Sequence, residues 1–239
     1  MPYFLSAENL KIGQRIKLVG EEAAHLLLAR RLKVGEEVKL QDPNRQRFLC
    51  RVVEVEKRAV NLLVLEALEA PPEPELAVVL FQAVVGQAAL DWVFQKSTEL
   101  QADGVVLFNS QNTANRLTLQ KFQEKHARWE RVLWEAAKQC ERLHPPAISF
   151  ALGVEEVLGQ LKTYDSVVVL DPGSQIRFKD AGFPKAKKIA VVVGPEGGLT
   201  PEEHQRLASL KNSKAVNLGP VLLRAETAAL AGLVLAANS

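Results

Sequence analysis

Two glycine-containing segments near the C-terminal end of the chain have the residue types of a ligand-binding site. The first, GPEGG at 194–198, directly follows the apolar run 189–193, and three of its five positions are glycine. Because glycine lacks a Cβ, a ligand can approach the backbone amides and carbonyls of this segment closely. The second, LGPVLLRAET at 218–227, contains Arg224, a fixed positive charge. Together they indicate a site that binds its ligand through backbone groups beside a cation.

Both segments follow runs that we predict to be β-strands. The unbroken β-branched and apolar run 189–193 is typical of a strand buried on both faces, as in a parallel sheet. A second run, 215–218, precedes the second glycine segment. Ligands of open α/β sheets bind outside the carboxyl ends of the strands, so the two loops are expected to form the rim of one site. Two ordinary strand-to-helix turns are the alternative interpretation, which spacing alone leaves open.

Helix signals follow each loop. Thr200 is a good N-cap, Pro201 suits the first helical position, and Glu203 completes a capping box. After the second loop, Arg224, Glu226 and Thr227 open an Ala-rich helix that is predicted to run to residue 237.

The remaining sequence indicates two domains. Residues 1–70 contain short predicted strands around one helix at 21–32, which suggests a small barrel, and the strands are expected at 15–19, 37–40, 48–56 and 60–65. Three prolines within residues 69–75 predict an extended spacer at the boundary. Beyond it, predicted strands alternate with predicted helices, which is typical of a mostly parallel sheet. The strands are expected at 76–81, 105–108, 147–151, 167–170, 189–193 and 215–218, and the helices at 90–100 and 119–142.

Composition excludes several classes of protein. The chain has 239 residues, is 47% hydrophobic and carries a formal net charge of +2, which is compatible with RNA binding but does not require it. Cys50 and Cys140 are too few and too far apart for a disulfide framework or a metal site. No leader and no apolar run of about 20 residues is recognised, so we expect a cytoplasmic protein with no membrane partner. The GPEGG loop lacks the G-K-[ST] ending of a phosphate-binding loop.

Basic residues in the first 70 positions form two groups that could contact phosphates. One contains Arg30, Arg31 and Lys33, and the other contains Arg45, Arg47 and Arg51. The same segment holds 12 Lys and Arg against 10 Asp and Glu, a net charge of only +2. On this evidence alone, RNA contact by this domain and a solvated surface are equally good interpretations.

GPEGGLTPEE followed by LGPVLLRAETAAL resembles the paired C-terminal motifs of the RsmE family, SPOUT-type methyltransferases that act on uridine N3 in 16S ribosomal RNA. Weaker similarity extends over most of the chain. The resemblance implies an α/β fold in which residues 71–239 form a methyltransferase domain with a C-terminal trefoil knot and residues 1–70 form a PUA-like β-barrel that binds RNA. It also implies S-adenosylmethionine as cofactor, the small ribosomal subunit or its 16S rRNA as substrate, a homodimer and no metal.

The resemblance also assigns roles to individual residues. Arg224 and Glu226 are expected in catalysis, with Glu226 orienting Arg224. RNA contacts are expected from Arg30, Arg31, Lys33, Lys96, Gln139 and Arg142. Cofactor contacts are expected from Leu170, Gly194, Pro195, Glu196, Gly197, Gly198, Leu199, Leu218, Gly219, Leu222 and Leu223.

The chain departs from the family pattern where the family has basic residues. Residues 86–89 read GQAA, the polar segment 109–115 replaces a segment of the R-S-V type, and Val221 stands at a usual arginine. A methyltransferase acting on another RNA, and a non-catalytic RNA-binding or ribosome-assembly protein, therefore remain alternatives. The presence of both glycine segments favours an enzyme, because a scaffold has no need for them.

Overall fold

The computed structural model describes residues 3–30, 32–72, 74–182 and 186–239. Arg31, one of the predicted RNA contacts, and position 73 of the predicted spacer lie outside the described residues, as does the side chain of Arg30. The chain divides into two compact units. The N-terminal unit comprises Met1–Pro72 and Ala137–His144, and the C-terminal unit comprises Glu73–Ala136 and Pro145–Ser239.

The N-terminal unit is a five-stranded sheet with one helix. Its elements are β1 (Tyr3–Leu5), β2 (Arg15–Val19), α1 (Gly20–Arg30), β3 (Glu37–Gln41), β4 (Arg47–Val55) and β5 (Ala59–Leu68). The strand order is β1-β3-β4-β5-β2, with β1 parallel to β3 and the other pairs antiparallel. The four strands and the helix expected from the sequence are confirmed, whereas the three-residue β1 was not predicted.

A buried cation ties the segment Ala137–His144 to this unit. Arg47 is only 3% exposed, and its Nη2 donates hydrogen bonds to the backbone oxygens of Glu141 (2.7 Å) and Arg142 (2.9 Å). Its guanidinium lies 4.2 Å from the ring centroid of Tyr3. Burial raises the pKa of the Tyr3 hydroxyl to about 12, and that hydroxyl also donates to the Arg142 oxygen. The expectation that Arg47 belongs to a phosphate-contacting face is therefore wrong, because these partners occupy it.

The C-terminal unit is a six-stranded parallel sheet with helices on both faces. Its strands are β6 (Ala77–Ala83), β7 (Gly104–Phe108), β8 (Ala147–Ala151), β9 (Ser166–Leu170), β10 (Lys188–Val193) and β11 (Ser213–Val216). Its helices are α2 (Gln87–Glu99), α3 (Leu119–Gln139), α4 (Val154–Leu161), α5 (Pro201–Ala208) and α6 (Ala225–Ala237), with a short 3₁₀ helix at Phe178–Asp180. The last residues of α3 fold with the N-terminal unit.

The order β11-β9-β10-β6-β7-β8 places β10 near the middle of the sheet, and all pairs are parallel, as the sequence predicted. Strand β11 ends at Val216, two residues before the predicted end at Leu218. The reason is local: the N–H of Asn217 donates to the oxygen of Ile176 (2.8 Å), so the chain leaves the ladder there.

Alternation along β10 divides the core into two layers. Ile189, Val191 and Val193 pack with residues of α2, α3 and α6, while Ala190 and Val192 pack with residues of α4 and α5. The β-branched run is therefore buried on both faces because helices cover both sides of the sheet. No helix in the described part of the chain is both long and apolar enough to cross a membrane.

Helix α6 lies close to the sheet because a glycine faces it. Gly232 is buried, and a Cβ at this position would lie 2.9 Å from both Leu170 Cδ1 and Val191 Cγ1. Small residues of α6, such as Ala229 and Ala236, are buried within the unit. The glycine thus brings the last helix against β9 and β10, directly below the predicted ligand loops.

We expect Gly232→Ala to lower the free energy of unfolding by about 1–3 kcal/mol, because the added methyl group overpacks the contact with Leu170 and Val191. Gly159→Ala is the matched control, since Gly159 is a helical glycine of α4 with nothing within 4 Å of its Cβ position. That substitution should stabilise the chain by up to about 1 kcal/mol through helix propensity. Urea unfolding of both variants tests the pair, and equal effects would contradict the packing argument.

Candidate functional site

The carboxyl ends of three neighbouring strands and the first turns of three helices line a cavity of about 1220 Å³. Because β9, β10 and β11 run parallel, the loops that follow them meet at one edge of the sheet. The cavity is lined by Gly86, Gln87, Ala88, Ala89, Trp92, Leu170, Asp171, Pro172, Val193, Gly194, Pro195, Glu196, Gly197, Gly198, Leu199, His204, Val216, Leu218, Val221, Leu222, Leu223, Arg224, Ala225, Glu226, Thr227 and Ala228. Both glycine-containing segments therefore face the same space.

The loop 194–199 is compact and needs its glycines. The Gly198 N–H donates to the Pro195 oxygen (2.9 Å), which closes a tight turn, and Gly198 has a φ of +71°. Such a φ is strained for residues with a Cβ. A Cβ at Gly194 would lie 3.1 Å from both Cγ and N of Leu199, so any larger residue would push the loop apart.

The second loop, 217–224, is anchored by Asn217. The Asn217 side-chain nitrogen donates to the Ser174 oxygen (2.6 Å), and its side-chain oxygen accepts from the Gly219 N–H (3.2 Å). Beyond this anchor the apolar side chains of Val221 and Leu222 are 72% and 79% exposed while lining the cavity. The loop thus presents unpartnered apolar surface next to the glycine turn.

Arg224 lies where this loop becomes α6. It is the N-cap residue of the helix, and its exposed guanidinium makes no hydrogen bond or ion pair with any residue in the described part of the chain. The expected contact with Glu226 is not formed, although Glu226 lines the same cavity, and the N-cap makes no side-chain hydrogen bond. An exposed cation beside the orphan N–H groups of a helix end suits an anion.

Three carboxylates and a histidine complete the ionisable groups of the cavity. His204 Nδ1 lies 3.7 Å from Asp171 Oδ2, and Asp171 Oδ1 accepts from the Gly173 N–H (2.8 Å). Glu196 Oε1 accepts from the Gly86 N–H (3.3 Å), which links the GPEGG loop to the start of α2. His204 was not predicted; its place in the first turn of the helix that follows GPEGG was the only sequence signal.

An ion pair fixes the start of α2, which lines the cavity through Gln87. Arg128 of α3 donates from Nη1 to Asp91 Oδ1 (2.8 Å), and the Gln87 amide donates to the same oxygen (2.9 Å). The hydrogen bond from Arg128 is the main reason why the pKa of Asp91 is held below its ordinary value. Asp91 is thus occupied within the unit.

The polar segment that departs from the family pattern lies against the GPEGG loop. The Asn112 side-chain nitrogen donates to the oxygens of Gly197 (3.2 Å) and Gly198 (3.1 Å). The buried carboxylate of Glu203, 4% exposed, accepts from Ser110 Oγ (3.0 Å) and from the Gln111 N–H (2.9 Å).

Glu203 performs a second task at the start of α5. It accepts from the Thr200 N–H (2.9 Å), while Thr200 Oγ1 accepts from the Glu203 N–H (3.3 Å). The predicted capping box is thereby confirmed, and its carboxylate also holds the neighbouring polar segment, a role that the sequence did not predict.

The predicted residues fall into two groups. Every residue expected to contact the cofactor lines the cavity except Gly219, and Arg224 and Glu226 line it too. Of the residues expected to contact RNA, those that the structure describes do not line it. Lys96 pairs with Glu99 (2.7 Å) and lies 4.9 Å from the Trp92 ring centroid.

The other residues expected to contact RNA belong to the N-terminal unit. Lys33 is exposed there, and Gln139 and Arg142 lie in its segment Ala137–His144. Cys50 is buried, which raises the pKa of its thiol to about 12, and Cys140 is free. Among the described residues, no group of three His, Cys, Asp or Glu side chains could hold a metal ion.

Known proteins share this fold. The RNA methyltransferase domain family matches residues 72–237, so this part of the chain is an RNA methyltransferase domain. Ribosomal RNA small subunit methyltransferase E of Bacillus subtilis (strain 168) is 28% identical over 236 residues, which cover 96% of this chain and 92% of that protein. Its counterpart in Aquifex aeolicus (strain VF5) is 30% identical over 188 residues, 76% of each chain.

A solved structure of another ribosomal RNA small subunit methyltransferase E is also similar to this chain. Ribosomal RNA small subunit methyltransferase E from Neisseria gonorrhoeae, bound to S-adenosyl methionine, has a TM-score of 0.85 to this chain at 27% identity, covering 98% of this chain and 95% of that one. The chain belongs to the RsmE family, as the paired C-terminal motifs indicated.

Glu203→Ala is expected to destabilise the chain by about 3 kcal/mol, because it leaves the buried Ser110 hydroxyl and the partly buried N–H groups of Gln111 and Thr200 without this acceptor. The matched control is Glu202→Ala, which removes an exposed acid from the same helical turn and should cost about 0.5 kcal/mol or less. Chemical denaturation of the two variants measures the difference. Equal losses would mean that the capping turn, and not the buried network, determines the effect.

Proposed function

We propose that this chain transfers the methyl group of S-adenosylmethionine to N3 of a uridine in the 16S ribosomal RNA of the small subunit. The observation that carries the proposal is one cavity lined by the GPEGG loop and by the loop that ends in Arg224. Membership of the RsmE family, whose similar members are ribosomal RNA small subunit methyltransferases, supports the substrate. The cavity is the site where both reactants would meet.

The lining residues fit S-adenosylmethionine by their chemistry. Apolar surface for an adenine comes from four leucines of the lining, Leu170, Leu218, Leu222 and Leu223. The glycine turn offers backbone donors and acceptors. The carboxylates of Asp171 and Glu196 lie in the same lining and favour a positively charged ligand. When bound, the cofactor supplies an already activated methyl group, so a Lewis acid is not needed.

Arg224 supplies the charge that the other reactant requires. N3 of uracil carries an imide proton, and it becomes a good nucleophile only when that proton passes to solvent water and negative charge spreads over N3, O2 and O4. A guanidinium stays protonated at any working pH and presents a planar fork of donors to such an anion. The unpaired N–H groups in the first turn of α6 add to the same field. We assign Glu226 the task of orienting Arg224 once the uracil is bound.

RNA binding is proposed for the N-terminal unit, which we interpret as the PUA-like β-barrel of residues 1–70, with Arg30, Arg31 and Lys33 as phosphate contacts. Lys96, Gln139 and Arg142 complete the proposed RNA contacts in this scheme.

Helix α6 follows the edge strand β11 and packs back against β6 and β10, which supports a C-terminal trefoil knot of the SPOUT type in residues 71–239. We also propose a homodimer, supported by the exposed Val234 and Leu235 of α6.

The function is tested by mass-spectrometric mapping of methylated nucleotides in ribosomal RNA from cells with and without the gene. A single N3-methyluridine in 16S RNA should disappear with the gene and return with a plasmid copy. Loss of a different methylated nucleotide would support the alternative that another RNA is the target. The GQAA segment 86–89 in the cavity wall favours this alternative, because it stands where the family has basic residues. No change in any methylated nucleotide would contradict an enzymatic function.

Arg224→Ala should slow methylation by roughly 10²- to 10³-fold, the loss typical of removing one preorganised charge-stabilising donor. Folding and cofactor affinity should remain nearly intact because the exposed side chain makes no hydrogen bond or ion pair with any described residue. Arg177→Ala is the control, since Arg177 is an exposed arginine of the same unit outside the cavity lining. Single-turnover rates at saturating cofactor and RNA give the measurement. A rate within about threefold of wild type would remove Arg224 from the mechanism.

A further inference from the structure

We propose that Asn112 is a positioning residue for cofactor binding, which holds the GPEGG loop in its ligand-binding shape. Asn112 itself is not among the residues that line the cavity, whereas the loop that it contacts forms part of the wall. The inference rests on the proposed function, because the occupant of the cavity is taken to be S-adenosylmethionine.

The contact uses the full donor capacity of the side chain. A side-chain amide carries two N–H groups. The Asn112 side-chain nitrogen donates to two backbone oxygens, that of Gly197 at 3.2 Å and that of Gly198 at 3.1 Å. Since each peptide group is planar, fixing these two oxygens also fixes the orientation of the following N–H groups. One side chain therefore determines the direction of two consecutive peptide groups in the cavity wall.

The loop has few other restraints within the described residues. One hydrogen bond closes its turn, from the Gly198 N–H to the Pro195 oxygen, and one links Glu196 to Gly86. Glycine-rich backbone loses the most conformational freedom on ordering, so a loop that is not held would lose this freedom when the ligand binds. Holding it beforehand increases ligand affinity.

Asn112 can do this because its own turn is rigid. The Ser110 N–H donates to Thr113 Oγ1 (2.9 Å), and the Thr113 N–H donates back to the Ser110 oxygen (3.2 Å). The buried Glu203 holds Ser110 and the adjacent Gln111 from the other side. Packing is also close, since a Cβ at Gly197 would lie 3.3 Å from the Asn112 Cβ.

Direct contact of Asn112 with RNA is the competing role, because the residue is exposed. The two roles predict different results. A positioning residue changes the affinity for the cofactor in the absence of RNA, whereas an RNA contact changes only the affinity for RNA. The conservative change Asn112→Asp separates them further, because it keeps the shape of the side chain and replaces its donor by a carboxylate oxygen facing two carbonyl oxygens.

The experiment is calorimetric titration of the full chain with S-adenosylmethionine, without RNA, for wild type, Asn112→Ala, Asn112→Asp, Asn115→Ala and Asn115→Asp. Asn115 is the matched control: it is an exposed asparagine of the same loop for which no hydrogen bond to a described residue is found. Both Asn112 variants should bind about tenfold more weakly, and both Asn115 variants should bind as wild type does. The rate at saturating cofactor should stay within about twofold, so the effect appears in KM and not in kcat.

Two results would overturn the inference. If wild type binds the cofactor and the Asn112 variants bind within about twofold of it, the positioning role is excluded while the proposed function stands. If wild type binds no S-adenosylmethionine, the proposed function falls and the inference falls with it.

Discussion

The parallel direction of all six strands in the C-terminal sheet is the constraint on which the site depends. In such a sheet every strand ends at the same edge, so Leu170, Gly194 and Leu218 become neighbours although they are distant in the chain. Parallel strands also need crossover helices on both faces, which is why the inner strands β6, β7, β9 and β10 are mostly apolar. The cavity is a direct result of this geometry, and its walls are the loops in which backbone groups are not used by the ladder.

Loops that present free backbone groups to a ligand must be held by something else. Here the restraints are polar side chains from outside the cavity wall, namely Asn112 on the glycine turn, Asn217 on the second loop and Glu203 beneath both Ser110 and the start of α5. Each satisfies several donors or acceptors at once, which reduces the number of residues needed. The positive charge at the site comes from Arg224. Its side chain makes no hydrogen bond or ion pair in the described part of the chain, which suits a group that acts only on the bound substrate.

Local signals made much of the fold predictable. The capping box at Thr200 and the β-branched run of β10 depend on neighbours within a few residues, and both were predicted correctly. Strand β1 was missed because three residues give too short a pattern for alternation to be recognised. The family resemblance supplied what periodicity could not, the pairing of the two glycine segments.

Contacts between distant residues were not predictable from the sequence. Arg47 appeared to belong to a basic surface, but its partners Glu141 and Arg142 follow more than 90 positions later, and burial depends on them. Asn112 and its acceptors are likewise separated by 85 positions or more. A polar segment that departs from the family pattern was interpreted as a lost RNA contact, although its side chains support the cavity wall.

The central claim is that the loops after β9, β10 and β11 form the S-adenosylmethionine site. Hydrogen exchange of the full chain, followed by mass spectrometry with and without the cofactor, tests it most directly because it reports on each loop separately. We predict that the cofactor slows exchange of residues 194–199 and 218–224 and leaves β3 and β4 unchanged. Protection confined to other segments, or no protection at saturating cofactor, would contradict the account.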